Sequence, residues 1–287
     1  MPELPEVETI KNDLGEKILN KKIKKIDLRL EEIVKSSPKE FVFILEKNSF
    51  KDIKRRGKLL VFIFTEKNKY LTIHLRMTGQ LIYQENKKII AGGHSDNNDI
   101  SNLPNSHTHI IFYFNDNSQL FFNDLRRFGV VKIVDEKKLE EMLDNFGREP
   151  LEKNFSLKTF QDLIKNKKGN VKAFLLNQKY VAGIGNIYAD EILFEAKILP
   201  NRKITSLKIE EIKAIYKAIR KILKKAILYR GTTFNDYVDA NGKKGNFFRL
   251  LKAYGRENKK CQRCKEGIIQ KVKIAGRETR YCNKCQK

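Results

Sequence analysis

All four cysteines of the chain fall in its last 27 residues, spaced C-x2-C-x17-C-x2-C at Cys261, Cys264, Cys282 and Cys285. No other stretch restricts its own fold so tightly, because two short turns must each deliver a pair of sulfurs to one centre. The 17-residue connection is long enough for a hairpin between the pairs. Four thiolates at this spacing suit tetrahedral Zn2+. Disulfides are disfavoured in a reducing cytosol, a redox CxxC would not need a duplicate, and iron is a weaker alternative. The spacing therefore predicts one zinc ion per chain, and a structural one, since a four-thiolate site leaves no position open for chemistry. Lys259, Lys260, Lys265, Lys271, Lys273 and Arg277 crowd the same stretch. That charge predicts contact with phosphates.

The charge extends over the whole chain: 59 Lys and Arg against 35 Asp and Glu give a net +24. Such an excess points to a polyanionic partner, nucleic acid ahead of a membrane surface. An AT-rich genome would enrich Lys, Ile and Asn, which explains Lys in place of Arg better than it explains a large net excess. Charge alone does not separate DNA from RNA. The longest apolar run, Leu59 to Phe64, is far too short to cross a bilayer. No basic stretch followed by an apolar one opens the chain, so no secretory signal is read and a cytoplasmic location is expected. At 287 residues the chain has room for two domains and a small third module.

Periodicity divides it further. Val7, Ile10, Leu14 and Ile18 recur at helical spacing. Short apolar or alternating runs follow: Ile26 to Leu30, Phe41 to Leu45, Leu59 to Phe64, Leu71 to Leu75, Ile110 to Phe114, Leu120 to Phe122 and Val130 to Val134. Many short strands with brief connections predict an antiparallel sandwich or barrel. Residues 84–107 interrupt the rhythm with a loop composition and are expected to be mobile. From about Lys137 the period becomes helical, most clearly from Leu207 to Ile227, where Lys residues occupy the polar face. Near Gly231 the composition shifts to a Gly-, Lys- and aromatic-containing linker.

The chain opens MPELPEVETI. Methionine before proline is normally removed, which would leave Pro2 as a free secondary amine. An α-amino group has a pKa of about 7.7–8.0, so on the order of a tenth is neutral at pH 7, against about a thousandth of a Lys amine. Such an amine attacking a sugar C1′ gives an iminium that acidifies the C2′ hydrogen and promotes elimination. Glu3 could move the accompanying proton. Alone, a Pro-Glu start reads as an ordinary polar terminus.

It is not alone. RRGK (Arg55 to Lys58), HLRMTG (His74 to Gly79), DLRRFG (Asp124 to Gly129), GIGNIYADEILF (Gly183 to Phe194), RGTTFNDYV (Arg230 to Val238) and the four-cysteine segment follow in this order. Together these closely resemble the bacterial formamidopyrimidine-DNA glycosylase family over essentially the whole chain. The resemblance implies a multidomain α+β fold: a β-sandwich catalytic domain with an N-terminal helix over 1–135, a helical helix-two-turns-helix DNA-binding domain over 136–232, and a lesion-capping loop with a zinc-finger hairpin over 233–287. It implies a monomeric bifunctional DNA glycosylase and abasic-site lyase that excises oxidised purines from double-stranded DNA, with no obligate protein partner.

By the same resemblance Pro2 is the nucleophile and Glu3 the acid/base. Lys58 contacts phosphate and gives a proton in β-elimination, although the turn alone reads as a solvated basic one. Arg277 grips a phosphate and assists δ-elimination; a planar guanidinium suits a dianionic leaving group. Met77, Arg126 and Phe128 match the wedge that fills the hole left by an extruded base. Periodicity alone would place Met77 and Phe128 in the core; the family expects them on exposed loop tips. His74, His107, Lys167 and Asn186 match further DNA contacts, and Glu6 is expected near the flipped nucleotide. The segment from Thr232 to Phe247 is where the family covers the extruded base. Two departures stand out: Arg76 and Leu125 replace the usual Gly and Pro beside the wedge. Alternative readings are an endonuclease VIII-like enzyme for oxidised pyrimidines, which the PELPEVE opening disfavours, and a non-catalytic zinc DNA-binding protein.

Overall fold

A computed structural model describes residues 1–65, 68–86, 88–92, 102–232 and 246–287. The chain divides into two compact units, residues 1–144 with 229–248, and residues 145–228 with 249–287.

The first unit opens with helix α1 (Leu4–Ile18), whose Val7, Ile10, Leu14 and Ile18 are all buried, as their spacing predicts. Among the described residues nine strands follow: β1 (Ile23–Leu28), β2 (Phe50–Arg56), β3 (Leu59–Phe64), β4 (Lys69–His74), β5 (Gly79–Glu85), β6 (Lys88–Gly92), β7 (Thr108–Phe114), β8 (Gln119–Asp124) and β9 (Val130–Asp135). They form two antiparallel sheets, one in the order β1-β7-β8-β5-β6 and the other β2-β3-β4-β9. Alternate residues of each point into a shared core with α1, including Ile26, Leu81, Phe112 and Phe122 from the first and Ile53, Phe62, Leu71 and Val131 from the second. The Phe50 ring bridges the sheets, its centroid 5.1 Å from that of Phe62 and 6.4 Å from that of Phe112. The expected sandwich is present.

The run from Phe41 to Leu45 is not a strand. It lies in helix α2 (Pro38–Glu46), which Ser37 caps by accepting from the Glu40 backbone N–H and which Pro38 begins. Helix-start chemistry outweighs the apolar run, and only Phe41 and Leu45, one turn apart, are buried. Part of the expected 84–107 loop is likewise ordered pairing, since β6 hydrogen-bonds to β5 from Leu81↔Gly92 to Glu85↔Lys88. The remainder of that loop at 93–101 lies outside the described residues, as does 233–245 of the expected lesion-covering segment.

In the second unit the helix Val171–Leu176 and the helix Asn186–Ala196 flank a double turn, and the amphipathic helix Ile209–Leu228 buries Ile215, Ile219, Ile222 and Leu223. The Asn186–Ala196 helix is buried almost throughout, Ile187 to Phe194, rather than amphipathic. Strands β10 (Ile269–Ile274) and β11 (Arg277–Cys282) form the hairpin between the cysteine pairs. Among the described residues no helix is long and apolar enough to cross a membrane.

Candidate active site and nucleic-acid interface

The N-terminus of α1 is built by carboxylates. Glu3 is its N-cap and forms a capping box with Glu6, whose Oε2 accepts from the Glu3 backbone N–H at 2.9 Å. The other Glu6 oxygen accepts from the backbone N–H and hydroxyl of Thr232, at 2.7 and 3.1 Å. One carboxylate thus ties the backbone beside Pro2 to the root of the 233–245 segment. Gly231, at φ +83, makes that approach possible, because a Cβ there would stand 2.7 Å from Glu6 Oε1. Arg230 adds an ion pair with Asp13 of α1. The backbone N–H groups of Asn246 and Phe247 close the stem on the carbonyls of Tyr229 and Gly231.

Lys58 sits in the tight turn between β2 and β3 and is only 5% exposed. Arg55 pins that turn to α1, donating from Nε to Glu8 at 2.6 Å and from Nη1 to the Gly57 carbonyl at 2.9 Å. The α-amino group at the chain start is held below its ordinary value by burial, with Lys58 pushing the same way and Glu3 and Glu6 opposing. Pro2's end of the chain, Glu3, Glu6 and Lys58 therefore form one electrostatic cluster. Pro2 itself is buried while Met1 is 42% exposed, and with Met1 attached the Pro2 nitrogen is an amide rather than an amine.

At the end of β4, His74 accepts the Arg76 backbone N–H at Nδ1, 3.0 Å away, which leaves Nε2 as the protonated nitrogen and an available donor. Burial lowers its pKa to about 4, reinforced by Arg76 and Lys58. Arg76 holds φ +53, a left-handed conformation that explains why glycine is at home there. Because the folded-state pKa lies below the ordinary 6.5, the unfolded chain takes up the proton first. Protonation thus favours unfolding as pH falls from 6.5 towards 4. Arg76→Gly keeps the backbone donor but removes a neighbouring cation. The His74 ring is expected to titrate near 4 in the parent chain, and higher in Arg76→Gly, by ring-resonance NMR. A parent midpoint at 6.5 or above would contradict this account.

Met77 and Phe128 stand out from the surface, 42% and 51% exposed, on the turns before β5 and after β8. The Arg126 guanidinium lies between them, its Nη1 3.3 Å from Met77 Sδ and its Cζ 4.7 Å above the Phe128 ring. Leu125, the other departure, is 58% exposed on the same turn. His107 is half-buried in a turn, its backbone N–H bound to Asn105 Oδ1.

In the second unit Asn186 is the first residue of its helix. Gln178 fixes the double turn ahead of it, donating to the Ile184 carbonyl and accepting the Gly183 N–H, both at 2.8 Å. One N–H of the Asn186 amide donates to the Glu278 carbonyl at 2.9 Å, a tie to the hairpin that no motif announces. Lys167 lies with its Nζ 4.5 Å from the Tyr180 ring centroid. Arg277 is exposed at the start of β11.

The four cysteine sulfurs lie within 4.8 Å of one another, with 3.7 Å separating Cys261 from Cys285 and Cys264 from Cys282. A tetrahedron with Zn–S bonds of about 2.3 Å puts its sulfurs about 3.8 Å apart, so the set fits a metal of that size. Gly267 abuts the cluster, where a Cβ would stand 2.5 Å from Cys282 Sγ. Not every basic residue nearby is free for DNA. Arg263 donates to Cys285 Sγ at 2.9 Å and to the Phe194 carbonyl, while Arg280 pairs with Glu257 and Glu278.

Comparison with known proteins adds to this geometry. Residues 1–131 match the formamidopyrimidine-DNA glycosylase N-terminal domain, and residues 146–237 match the H2TH domain of the same enzymes. A formamidopyrimidine-DNA glycosylase of Carboxydothermus hydrogenoformans is 43% identical over 94% of both chains. One of Listeria monocytogenes is 39% identical over 96% of this chain and 95% of its own. A Lactococcus lactis Fpg complexed with abasic-site DNA superposes with a TM-score of 0.87 at 31% identity, covering 99% of each chain.

Proposed function

The chain belongs to the formamidopyrimidine-DNA glycosylase family, and we infer that it excises oxidised purines such as 8-oxoguanine and formamidopyrimidines from duplex DNA and then cuts the strand. This is base excision repair, carried out in the cytoplasm on damaged double-stranded DNA. Solved relatives include a mutant of Lactococcus lactis Fpg bound to DNA containing Fapy-dG.

The observation that carries the reading is the cluster at the start of α1, where the terminal amine shares its surroundings with Glu3, Glu6 and Lys58. Once Met1 is removed, the Pro2 nitrogen is a secondary amine one residue from Glu3 and in the same neighbourhood as Glu6 and Lys58. It attacks C1′ of the lesion nucleotide, the C1′–N bond breaks, and the base departs with a proton. The C1′–O4′ bond of the resulting aminal then breaks, O4′ taking up a proton, and the iminium so formed acidifies the C2′ hydrogen, whose loss expels the 3′ phosphate. A second elimination expels the 5′ phosphate. Glu3 moves protons to and from the sugar ring oxygen, Lys58 protonates in the first elimination, and the Arg277 guanidinium takes the charge of the departing phosphate. His74, His107, Lys167 and Asn186 hold the DNA backbone, while Met77, Arg126 and Phe128 fill the vacated stack. Cys261, Cys264, Cys282 and Cys285 hold one Zn2+, which supplies folding energy to the finger and takes no part in bond cleavage.

Borohydride reduction on abasic duplex tests this chemistry. The Met1-free protein is expected to form a covalent protein–DNA adduct, and a chain that retains Met1 is expected to form none. Absence of an adduct from Met1-free, zinc-loaded protein would favour a binding-only role. Faster release of thymine glycol than of 8-oxoguanine would move the enzyme to the pyrimidine branch.

A further inference from the structure

At one end of the five-stranded sheet, Gly79 of β5 pairs with Asp124 of β8. Two turns leave the sheet at this point, Arg76 to Thr78 and Leu125 to Gly129, and between them they carry Met77, Arg126 and Phe128. The Asp124 side chain joins them. Its Oδ1 accepts from the Thr78 hydroxyl and, at 3.2 Å, from the Arg126 backbone N–H; its Oδ2 accepts the Gly129 N–H at 2.6 Å. The Thr78 hydroxyl in turn accepts the Arg126 N–H at 3.1 Å, so each turn holds the other. The main chain of Asp124 is equally committed. Its carbonyl accepts from His109 Nε2 at 2.8 Å, and its N–H donates to the His107 carbonyl at 2.9 Å. Asp124 is 1% exposed, whereas Met77, Leu125 and Phe128 are all more than 40% exposed.

We propose that Asp124 is a positioning residue that, through Thr78, locks the two turns into one preassembled wedge and thereby sets how the enzyme discriminates the base opposite the lesion. The proposal rests on the glycosylase reading and deepens it. A carboxylate this buried, with both oxygens accepting from turn donors, is out of reach of DNA. It acts on what the exposed side chains can do. Arg126 reads the orphaned base by hydrogen bonds whose direction depends on where its backbone stands. That backbone N–H is gripped twice, by Asp124 and by Thr78, each on a different strand end. With both grips intact, the guanidinium stays between Met77 and Phe128 before DNA arrives, so little ordering remains to be done on binding. Loss of the grip leaves three side chains that must find their places separately. The clamp's hydrogen bonds join Asp124, Thr78, Arg126 and Gly129 and include none of the reacting groups, so bond cleavage is expected not to require this order.

The experiment uses the Met1-free, zinc-loaded full chain and two variants. Thr78→Val uncouples the turns while leaving the carboxylate on its own turn. Asp124→Asn presents an NH2 where a backbone N–H needs an acceptor. Single-turnover excision of 8-oxoguanine is measured opposite each of the four bases, together with cutting at a preformed abasic site that faces a gap. Misplacement by about 1 Å costs on the order of a hundredfold in such steps, so base release from fully paired duplex is expected to slow by about 10–100-fold in both variants. The preference among partner bases should flatten to within about threefold, while cutting at the gapped site stays within about threefold of the parent. Equal losses on all substrates would mean that Asp124 serves folding alone, and unchanged partner-base ratios would mean that the clamp sets nothing; either overturns the proposal. If Asp124→Asn does not fold, Thr78→Val decides by itself. A parent chain that cuts neither substrate would fail the glycosylase reading instead.

Discussion

Removing the metal from Cys261, Cys264, Cys282 and Cys285 is expected to unfold the hairpin β10–β11 and abolish tight binding to duplex DNA, while most helix and sheet signal survives. The finger has almost no core of its own. Its buried cluster is Phe194, Ala253, Cys261, Ile269 and Cys282, of which two are sulfur donors and two lie outside the cysteine segment. β10 alternates Ile269 and exposed positions so weakly that only its first residue is buried, and Ile268 and Val272 remain 46% and 38% exposed. Burying Ile269 contributes about 1.5–3 kcal/mol. Structural zinc in a four-donor site contributes about 10–16 kcal/mol, so the proposed metal would outweigh the side chains in ordering this segment.

The functional consequence follows from what the hairpin carries. Arg277, Lys271 and Lys273 lie on it, and Arg277 is proposed to grip the phosphate that leaves. With the strands unpaired, those charges remain on the chain but lose their common geometry, so only weak, non-specific attraction should persist. A chelator titration at fixed ionic strength checks this, with far-UV circular dichroism read beside duplex affinity. Affinity should fall by at least about a hundredfold at low added salt, and Zn2+ should restore it. Duplex affinity retained within about threefold after complete metal removal would show that the finger is not the clamp.

How much of this could be read in the sequence depends on where the physical information resides. The cysteine spacing states its geometry locally, and the 3.7 Å sulfur separations add little to it. α1 is equally legible, because its four core residues repeat at helical spacing. α2 was hidden by a five-residue apolar run that suits a strand, although Ser37 and Pro38 just ahead of it carry a helix start. β2 was hidden differently: FKDIKRR is mostly polar and becomes a strand only because Phe50 and Ile53 face the shared core. Met77 and Phe128 show the limit of hydrophobicity as a guide, since only the motif, and not the pattern, places them on the surface. The residues that organise the site were the least visible. Asp124, Gln178 and Glu191 are ordinary polar residues until the fold points backbone donors at them. The Glu191 carboxylate accepts the N–H groups of Lys252, Ala253 and Tyr254, a contact across some sixty positions of chain that no local rule anticipates.

The same reasoning makes Lys172→Met a severe substitution in the second unit. Lys172 and Asp190 are both fully buried, 2.6 Å apart, in the helices on either side of the double turn. Lys172 Nζ also donates to Thr279 Oγ1 at 2.7 Å and to the Glu278 carbonyl at 3.3 Å, while the second Asp190 oxygen accepts the Arg280 N–H at 2.9 Å. One ion pair thus fastens β11 to the helix pair, two residues from Arg277. Methionine nearly matches the lysine stem in volume, so packing is preserved and the loss is electrostatic. Leaving Asp190 buried without its cation costs about 3–5 kcal/mol. Adding Asp190→Leu removes that stranded charge, and the double variant should regain most of the loss. It should still fall short of the parent by about 1–3 kcal/mol, because the Arg280 N–H is then buried without an acceptor. Denaturant unfolding of the four proteins measures the cycle, and strand cutting at abasic sites reports on Arg277 beside it. A single-variant loss below about 1 kcal/mol would mean that the Lys172–Asp190 pair does not hold the hairpin in place.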